Sequence, residues 1–519
     1  MIELKNVSFE YSAGDGLERG SAGGVDEKIS NGSLRGLNLS VAEGEFVLLT
    51  GGSGCGKTTI LRLINGLIPN FFEGRLEGSV TVDGFDVSHA ELYDTAKSVS
   101  TVFQNPRSQF FNVDTTSELA FACENQGMAE SEILCRIDKT VSELHLEPLM
   151  NRSLFDLSGG QKQKIACASV AVTGNKIILL DEPSANLDLR TIDELAGLLK
   201  KWKKEGKTII VAEHRISYLW DLADRTAVLK DGQIVRELSR AQMDKISEEE
   251  LHKLGLRTNK VPTVVEPVET TISKNPKEGD FDPSTKLRDR KLNHHESLNH
   301  QDNLTLQNFR YKYRNGYLAL NIPQMQIPVG KITAITGNNG DGKTTLLNCL
   351  CGLGKRSKGI LIYKGKSYKP RQRQKLIYLV MQDVNHQLFT ESVLDEVLIS
   401  QDESNELEAH KILDTLDLEN FADRHPQSLS GGQKQRVAVA SAIASGRDIM
   451  LFDEPTSGLD YTHMLQIGEI LRSLKDQGKT VIVVTHDREL IKECCDCEIR
   501  LRDFNQINPV TPTEGEVNA

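Results

Sequence analysis

Short, uninterrupted apolar runs recur along this chain, each bounded by polar or glycine-rich residues. FVLLT (residues 46–50), IILL (177–180) and TIIVA (208–212) come in the first half; ITAIT (332–336), IMLF (449–452) and TVIVVT (480–485) come in the second. A strand with one wet face alternates apolar and polar residues. A run without alternation fits a strand covered on both faces, as in a parallel sheet between helices. In both halves the first run leads through a glycine-rich loop into a segment that reads as helix, TTILRLINGL and TTLLNCLCGL. The pattern predicts an α/β fold with a parallel-sheet core, and predicts it twice.

The repetition extends to the intervening segments. GGSGCGKTT (51–59) returns as GNNGDGKTT (337–345), LSGGQKQK (157–164) as LSGGQKQR (429–436), LLDEPSANLD (179–188) as LFDEPTSGLD (451–460), and AEHR (212–215) as VTHD (484–487). Ser158/Ser430, Glu182/Glu454 and His214/His486 are each 272 positions apart (430 − 158 = 272), so no net insertion separates these landmarks. Lys57 and Lys343 are 286 apart (343 − 57 = 286), so the copies differ in length between the glycine-rich loop and LSGGQ. The expected organisation is a first domain over residues 1–256, a flexible linker over 257–303 and a second domain over 304–519. The linker is rich in Pro, Thr, Lys, Asp and His and has no sustained apolar period. Its His294, His295 and His300 read as part of a solvated polar segment rather than a metal tract. Residues 12–35 read as a surface loop of the first copy, and the tail after Phe504 as loosely ordered.

Composition narrows the class. The 519 residues carry 62 Lys and Arg against 73 Asp and Glu, a net charge of −11, which weakly opposes nonspecific binding to nucleic-acid phosphates. No stretch approaches the roughly 18 consecutive apolar residues of a membrane span. The opening MIELKNVSFEY has charges where a signal peptide would have its apolar core. Nine scattered cysteines suit a reduced protein better than a disulfide framework.

The candidate chemistry is that of phosphate. G-x-x-x-x-G-K-[ST] is met by Gly51, Gly56, Lys57 and Thr58 and again by Gly337, Gly342, Lys343 and Thr344, with Gly54, Thr59, Gly340 and Thr345 in the same loops. Glycines let backbone N–H groups wrap an anion at a helix N-terminus, lysine neutralises it, and the threonine hydroxyl suits Mg²⁺. Asp181 and Asp453 end apolar runs, where a carboxylate reaches the same metal ion. Glu182 and Glu454 follow them, placed to orient or deprotonate an attacking water. His214 and His486 end the next run and read as γ-phosphate contacts. Cys55 reads as a small loop residue whose thiol could make the site sensitive to alkylation.

With LSGGQ beside these motifs, the chain resembles the ATP-binding cassette (ABC) ATPase family over nearly everything outside the linker. The resemblance implies two P-loop nucleotide-binding domains, each a parallel-sheet core with a helical subdomain, paired head to tail within one chain and using ATP and Mg²⁺. Lys57, Asp181, Glu182 and His214 would face Ser430, Gly431 and Gly432; Lys343, Asp453, Glu454 and His486 would face Ser158, Gly159 and Gly160. Tyr11 and Tyr313 resemble the aromatic residue that stacks on adenine. Gln104 and Gln382 match the loop glutamine that senses the nucleotide with its Mg²⁺ and couples to a partner. The first copy departs at Ala185, Asn186 and Glu213, none of which removes a catalytic carboxylate or the histidine. Two hydrolysis-competent sites are expected.

A second glutamine stands five residues after each of these, Gln109 and Gln387. In this the chain resembles the energy-coupling factor (ECF) class of vitamin and metal-ion importers. That implies a separate transmembrane coupling subunit, a separate substrate-binding membrane subunit, and a peripheral place on the cytoplasmic face of the membrane. Phe110–Phe111 and Leu388–Phe389 read either as the apolar coupling contacts or as buried core. The competing readings are another importer ATPase, such as the tandem sugar type, and a ribosome- or DNA-directed tandem ABC protein. Against the last, Pro262, Pro267, Pro276 and Pro283 exclude a long helical linker, Cys494, Cys495 and Cys497 lack zinc spacing, and no long heptad run appears.

Overall fold

All six apolar runs form strands buried along their whole length: Phe46–Gly51, Ile177–Asp181 and Thr208–Ala212, then Ile332–Thr336, Ile449–Asp453 and Thr480–Val484. The computed structural model describes residues 1–12, 32–185, 187–260, 303–314, 316–429 and 431–507. The histidines at 294, 295 and 300, most of the loop read at 12–35 and the last twelve residues lie outside the described residues.

Each half has two sheets. In the first, the order across the larger sheet is Gln233–Ser239, Arg225–Lys230, Phe46–Gly51, Thr208–Ala212, Ile177–Asp181, Val99–Val102, parallel except for the first pair. The second half runs Ile377–Val380, Ile449–Asp453, Thr480–Val484, Ile332–Thr336, Cys497–Arg500, parallel throughout. This order sets the strand that feeds the glycine-rich loop beside the one that feeds the histidine, and that one beside the strand ending in Asp-Glu. Three strand ends therefore open onto one crevice at their carboxyl side, where open parallel sheets bind ligands. The smaller antiparallel sheets centre on Ile2–Tyr11 and Asn303–Lys312, whose far ends carry Tyr11 and, one residue beyond, Tyr313.

The helical part of the first half packs Leu119, Ile133, Ile137, Leu146 and Ile165 into an apolar cluster of its own. Its helix Gly159–Thr173 opens with a capping box: Ser158 accepts from the Gln161 backbone while the Gln161 side chain accepts from the Ser158 N–H. The LSGG segment is thereby fixed at a helix N-terminus. Cys494 bonds the Leu490 carbonyl and Cys497 pairs with the Thr333 hydroxyl at 3.1 Å. Among the described residues, no helix is long and apolar enough to cross a membrane.

Candidate active site

The loop between Phe46–Gly51 and the helix Lys57–Ile64 can be built only with glycine at its ends. Gly51 has φ 147° and a Cβ there would lie 2.1 Å from the Leu229 carbonyl oxygen; Gly56 has φ 104° and a Cβ would lie 2.6 Å from Leu34. Lys57 is buried and folds back to donate to the carbonyls of Gly51 and Gly52 at 3.1 and 3.0 Å. Lys343 does the same to Gly337 and Asn338 at 2.8 and 3.0 Å. Beside each loop a tyrosine is pinned by its hydroxyl, Tyr11 to Thr59 at 3.1 Å and Tyr313 to Thr345 at 2.8 Å.

The Thr58 hydroxyl donates to Asp181 at 3.1 Å, and the Thr344 hydroxyl bonds Asp453. Burial and the neighbouring Glu182 push Asp181 up to about 6, and burial raises Asp453. A buried carboxyl that its own surroundings leave short of positive charge fits a cation held with a threonine hydroxyl and phosphate oxygens, the usual mode for Mg²⁺. Among the described residues no group of three or more His, Cys, Asp and Glu side chains forms an all-protein metal cage.

Glu182 and Glu454 stand in the left-handed backbone region, at φ 43° and 49°. Non-glycine residues reach that region at a cost, and such strain gathers at working sites. Each is held there by its own N–H, bonded to the Ala212 or Val484 carbonyl at 2.8 Å. Their surroundings shift them in opposite directions. Burial would raise Glu182, but the His214 ring 3.3 Å away and the Gln104 amide at 2.7 Å outweigh it, and its pKa is lowered. Burial prevails at Glu454, which rises to about 7, and His486, 3.5 Å from it, falls to about 3 through burial and the nearby Lys343. Lys57 also touches His214 at 3.2 Å.

The halves meet head to tail. Ser158 and Gly159 line one cleft of about 350 Å³ together with Tyr313, Gly340, Gly342, Lys343, Thr344, Thr345, Gln382, Asp453 and Glu454. Gly160 faces Asn339, its Cβ position 3.6 Å from the Asn339 amide. On the other side Ser430 lies outside the described residues, and Gly431 has open space around its Cβ position. Gly432 faces His463, whose ring bonds Asp460 at 2.8 Å, and Asp460 reaches the N–H of Ser53 in the first loop at 2.7 Å.

Sequence reasoning gave no role to the aspartates closing the DEP segments. Asp460 bonds Ser53 and Asp188 bonds the N–H of Asn339 at 2.6 Å, so each loop takes a carboxylate from the opposite half. Their shared offset of 272 was the available signal (460 − 188 = 272). Glu213 also has a defined place. It accepts from the N–H groups of Ser184, His214 and Arg215 and from the Tyr218 hydroxyl. In the second half Thr485 stands there, and Asp487 ties the same two loops together by accepting from Thr456 at 2.7 Å. A carboxylate before the histidine in one copy and after it in the other does equivalent work.

Gln109 and Gln387 turn inward. Gln109 accepts from Phe103 N–H at 3.1 Å and donates to Ala166, and Gln387 accepts from Met381 N–H at 3.1 Å. The apolar pairs after them split: Phe110 and Leu388 pack into the interior, while Phe111 and Phe389 stand 76% and 72% exposed. Each exposed ring rides on a turn closed by a buried carboxylate: Glu118 accepts from Phe111 N–H and Glu396 from Phe389 N–H, both at 3.0 Å.

A family profile described as "ABC transporter" matches residues 34–185 and 320–457. Two proteins of Treponema denticola, each described as "Putative ABC transporter ATP-binding protein", are similar along their length. One is 42% identical over 95% of this chain and 94% of its own, the other 37% identical over 97% and 95%. A solved structure called "RNase-L Inhibitor" superposes with a TM-score of 0.57 over 90% of this chain and 85% of its own; at 22% identity the likeness concerns the fold.

Proposed function

The chain belongs to the ABC transporter family and is an ABC ATPase, and from that premise we propose that it powers a membrane importer of the energy-coupling factor class, for a vitamin, vitamin precursor or metal ion. Bound ATP with Mg²⁺ supplies the phosphoanhydride to be cleaved and the cation that neutralises it. Lys57 and Lys343 hold phosphate charge within their loops, and Tyr11 and Tyr313 flank the base. Thr58 with Asp181, and Thr344 with Asp453, hold the cation, with Gln104 and Gln382 beside it. Glu182 and Glu454 orient the attacking water, His214 and His486 fix those glutamates, and the LSGG segments complete each site from the opposite half.

The observation that carries the importer reading is the pair of exposed phenylalanines. Gln104/Gln382, Gln109/Gln387, Phe111/Phe389 and Glu118/Glu396 all share one offset (382 − 104 = 278), so the whole device is duplicated without insertion. A ring held in water on a buried carboxylate turn, a few residues from a glutamine at the catalytic glutamate, suits transmission of site closure to an apolar partner. The proposed partners are a transmembrane coupling subunit and a substrate-binding membrane subunit, with this chain peripheral on the cytoplasmic face. The proposed division is residues 1–256, 257–303 and 304–519. Co-purification in detergent with the transmembrane subunits of ECF-type importers tests the reading, and failure to associate with any of them refutes it.

A further inference from the structure

Beyond the helix Glu248–Lys253 the chain leaves the first half and runs onto the second. Arg257 and Thr258 are both buried. One Arg257 nitrogen donates to Asp487 at 2.7 Å and Glu489 at 3.3 Å, and the other two donate to the Leu459 carbonyl at 3.2 and 2.8 Å. The Thr258 N–H takes the other Glu489 oxygen at 2.6 Å, and the His252 ring stacks on Tyr461 at 4.0 Å. A planar guanidinium meets two carboxylates and a carbonyl at once, a geometry a lysine cannot copy.

What this clamp holds leads back to the first half. Leu459 precedes Asp460, whose carboxylate takes the Ser53 N–H of the first phosphate loop. The Cβ position of Gly458, one residue earlier, is 3.5 Å from a Glu182 oxygen. The path runs from the tail of the first half, through the 458–460 loop of the second, to the Glu182 site.

The clamp is also one-sided by its chemistry. At the 272-residue offset the counterparts of Asp487 and Glu489 are Arg215 and Ser217 (487 − 272 = 215; 489 − 272 = 217). Arg215 repels a guanidinium and Ser217 offers only a neutral hydroxyl, so at these positions the described residues give the 187–188 loop serving the Glu454 site no carboxylate pair to hold an arginine. We infer that Arg257 is a positioning residue for hydrolysis chiefly at the Glu182 site, acting through Leu459 and Asp460. The inference rests on the ATPase reading.

The test uses the full chain, with Arg257→Ala, Arg257→Lys and the milder Glu489→Gln, which keeps the Asp487 and Leu459 contacts. Hydrogen exchange of the Ser53 and Asn339 amides reads the two loops separately. Expected is exchange at Ser53 faster by on the order of tenfold in Arg257→Ala, less in Glu489→Gln, with Asn339 changed less than about twofold. Turnover is read in the Glu454→Gln and Glu182→Gln backgrounds. A fall in kcat of on the order of tenfold is expected when Glu182 is retained, with KM for ATP nearly unchanged and no rescue by lysine. A clearly smaller fall is expected when Glu454 is retained, and an equal fall in both backgrounds overturns the inference. Equal acceleration at both amides, or none at Ser53, overturns the inference. Absence of ATP hydrolysis in the unmutated chain refutes the ATPase reading and the inference with it.

Discussion

Asp460 accepts a hydrogen bond from the Ser53 amide at 2.7 Å although 407 positions separate the two residues. Asp188 does the same for Asn339 at 2.6 Å. Each phosphate loop thus takes a carboxylate from the other half.

Replacing these aspartates should uncouple the halves. A hydrogen bond to a charged group contributes about 1.5–3 kcal/mol. Asp188→Ala and Asp460→Ala should each lower turnover by on the order of tenfold or more. Steady-state ATPase assays decide it; wild-type rates in both variants would mean the contacts carry no catalytic weight.

Glu182→Gln and Glu454→Gln should each cut total turnover, because both glutamates share the strained backbone and the adjacent histidine. Loss of a general base costs about 10²–10⁴-fold at the affected site. If one substitution leaves turnover intact while the other abolishes it, the two sites are not both competent.

The exposed rings give a separable prediction. Phe111→Asp with Phe389→Asp should abolish co-purification with transmembrane subunits while leaving detergent-free ATPase activity within about twofold, since surface changes seldom exceed roughly 0.5 kcal/mol. Retained association would locate the docking surface elsewhere.

Acid should weaken the interface between the halves. Burial would raise the pKa of Asp487, but Arg257 and Arg215 outweigh it and hold the carboxyl below its usual range. A depressed folded-state pKa stabilises above the unfolded value of about 3.9, and that stabilisation is lost as pH falls through the folded value. Wild type should melt above Asp487→Asn near neutral pH, with the gap closing in acid. Thermal midpoints measured downward from pH 7 test this, and a gap independent of pH would contradict it.

Much of this was readable beforehand because it depends on local pattern. Continuous apolar runs give buried parallel strands, and glycines at Gly51 and Gly56 mark backbone that no side chain can enter. The head-to-tail arrangement came from the LSGGQ resemblance rather than from periodicity. The left-handed backbone of Glu182 and Glu454 was not legible, since nothing in a glutamate announces a positive φ. Nor was the division between Phe110 and Phe111, because an apolar pair in a loop does not say which ring turns inward. Arg257 falls in a segment that reads as a flexible linker, and only the fold brings Asp487 to it across 230 positions.

Joining the halves in one polypeptide has a consequence for Arg215 and Asp487. In a symmetric pair of identical subunits, a residue near the axis meets its own image, so the surface must be self-complementary. Here each half meets the other, and Arg215 lies within electrostatic reach of Asp487, its own counterpart. The halves are consequently not interchangeable. A chain built from two first halves would set arginine against arginine, and one built from two second halves aspartate against aspartate.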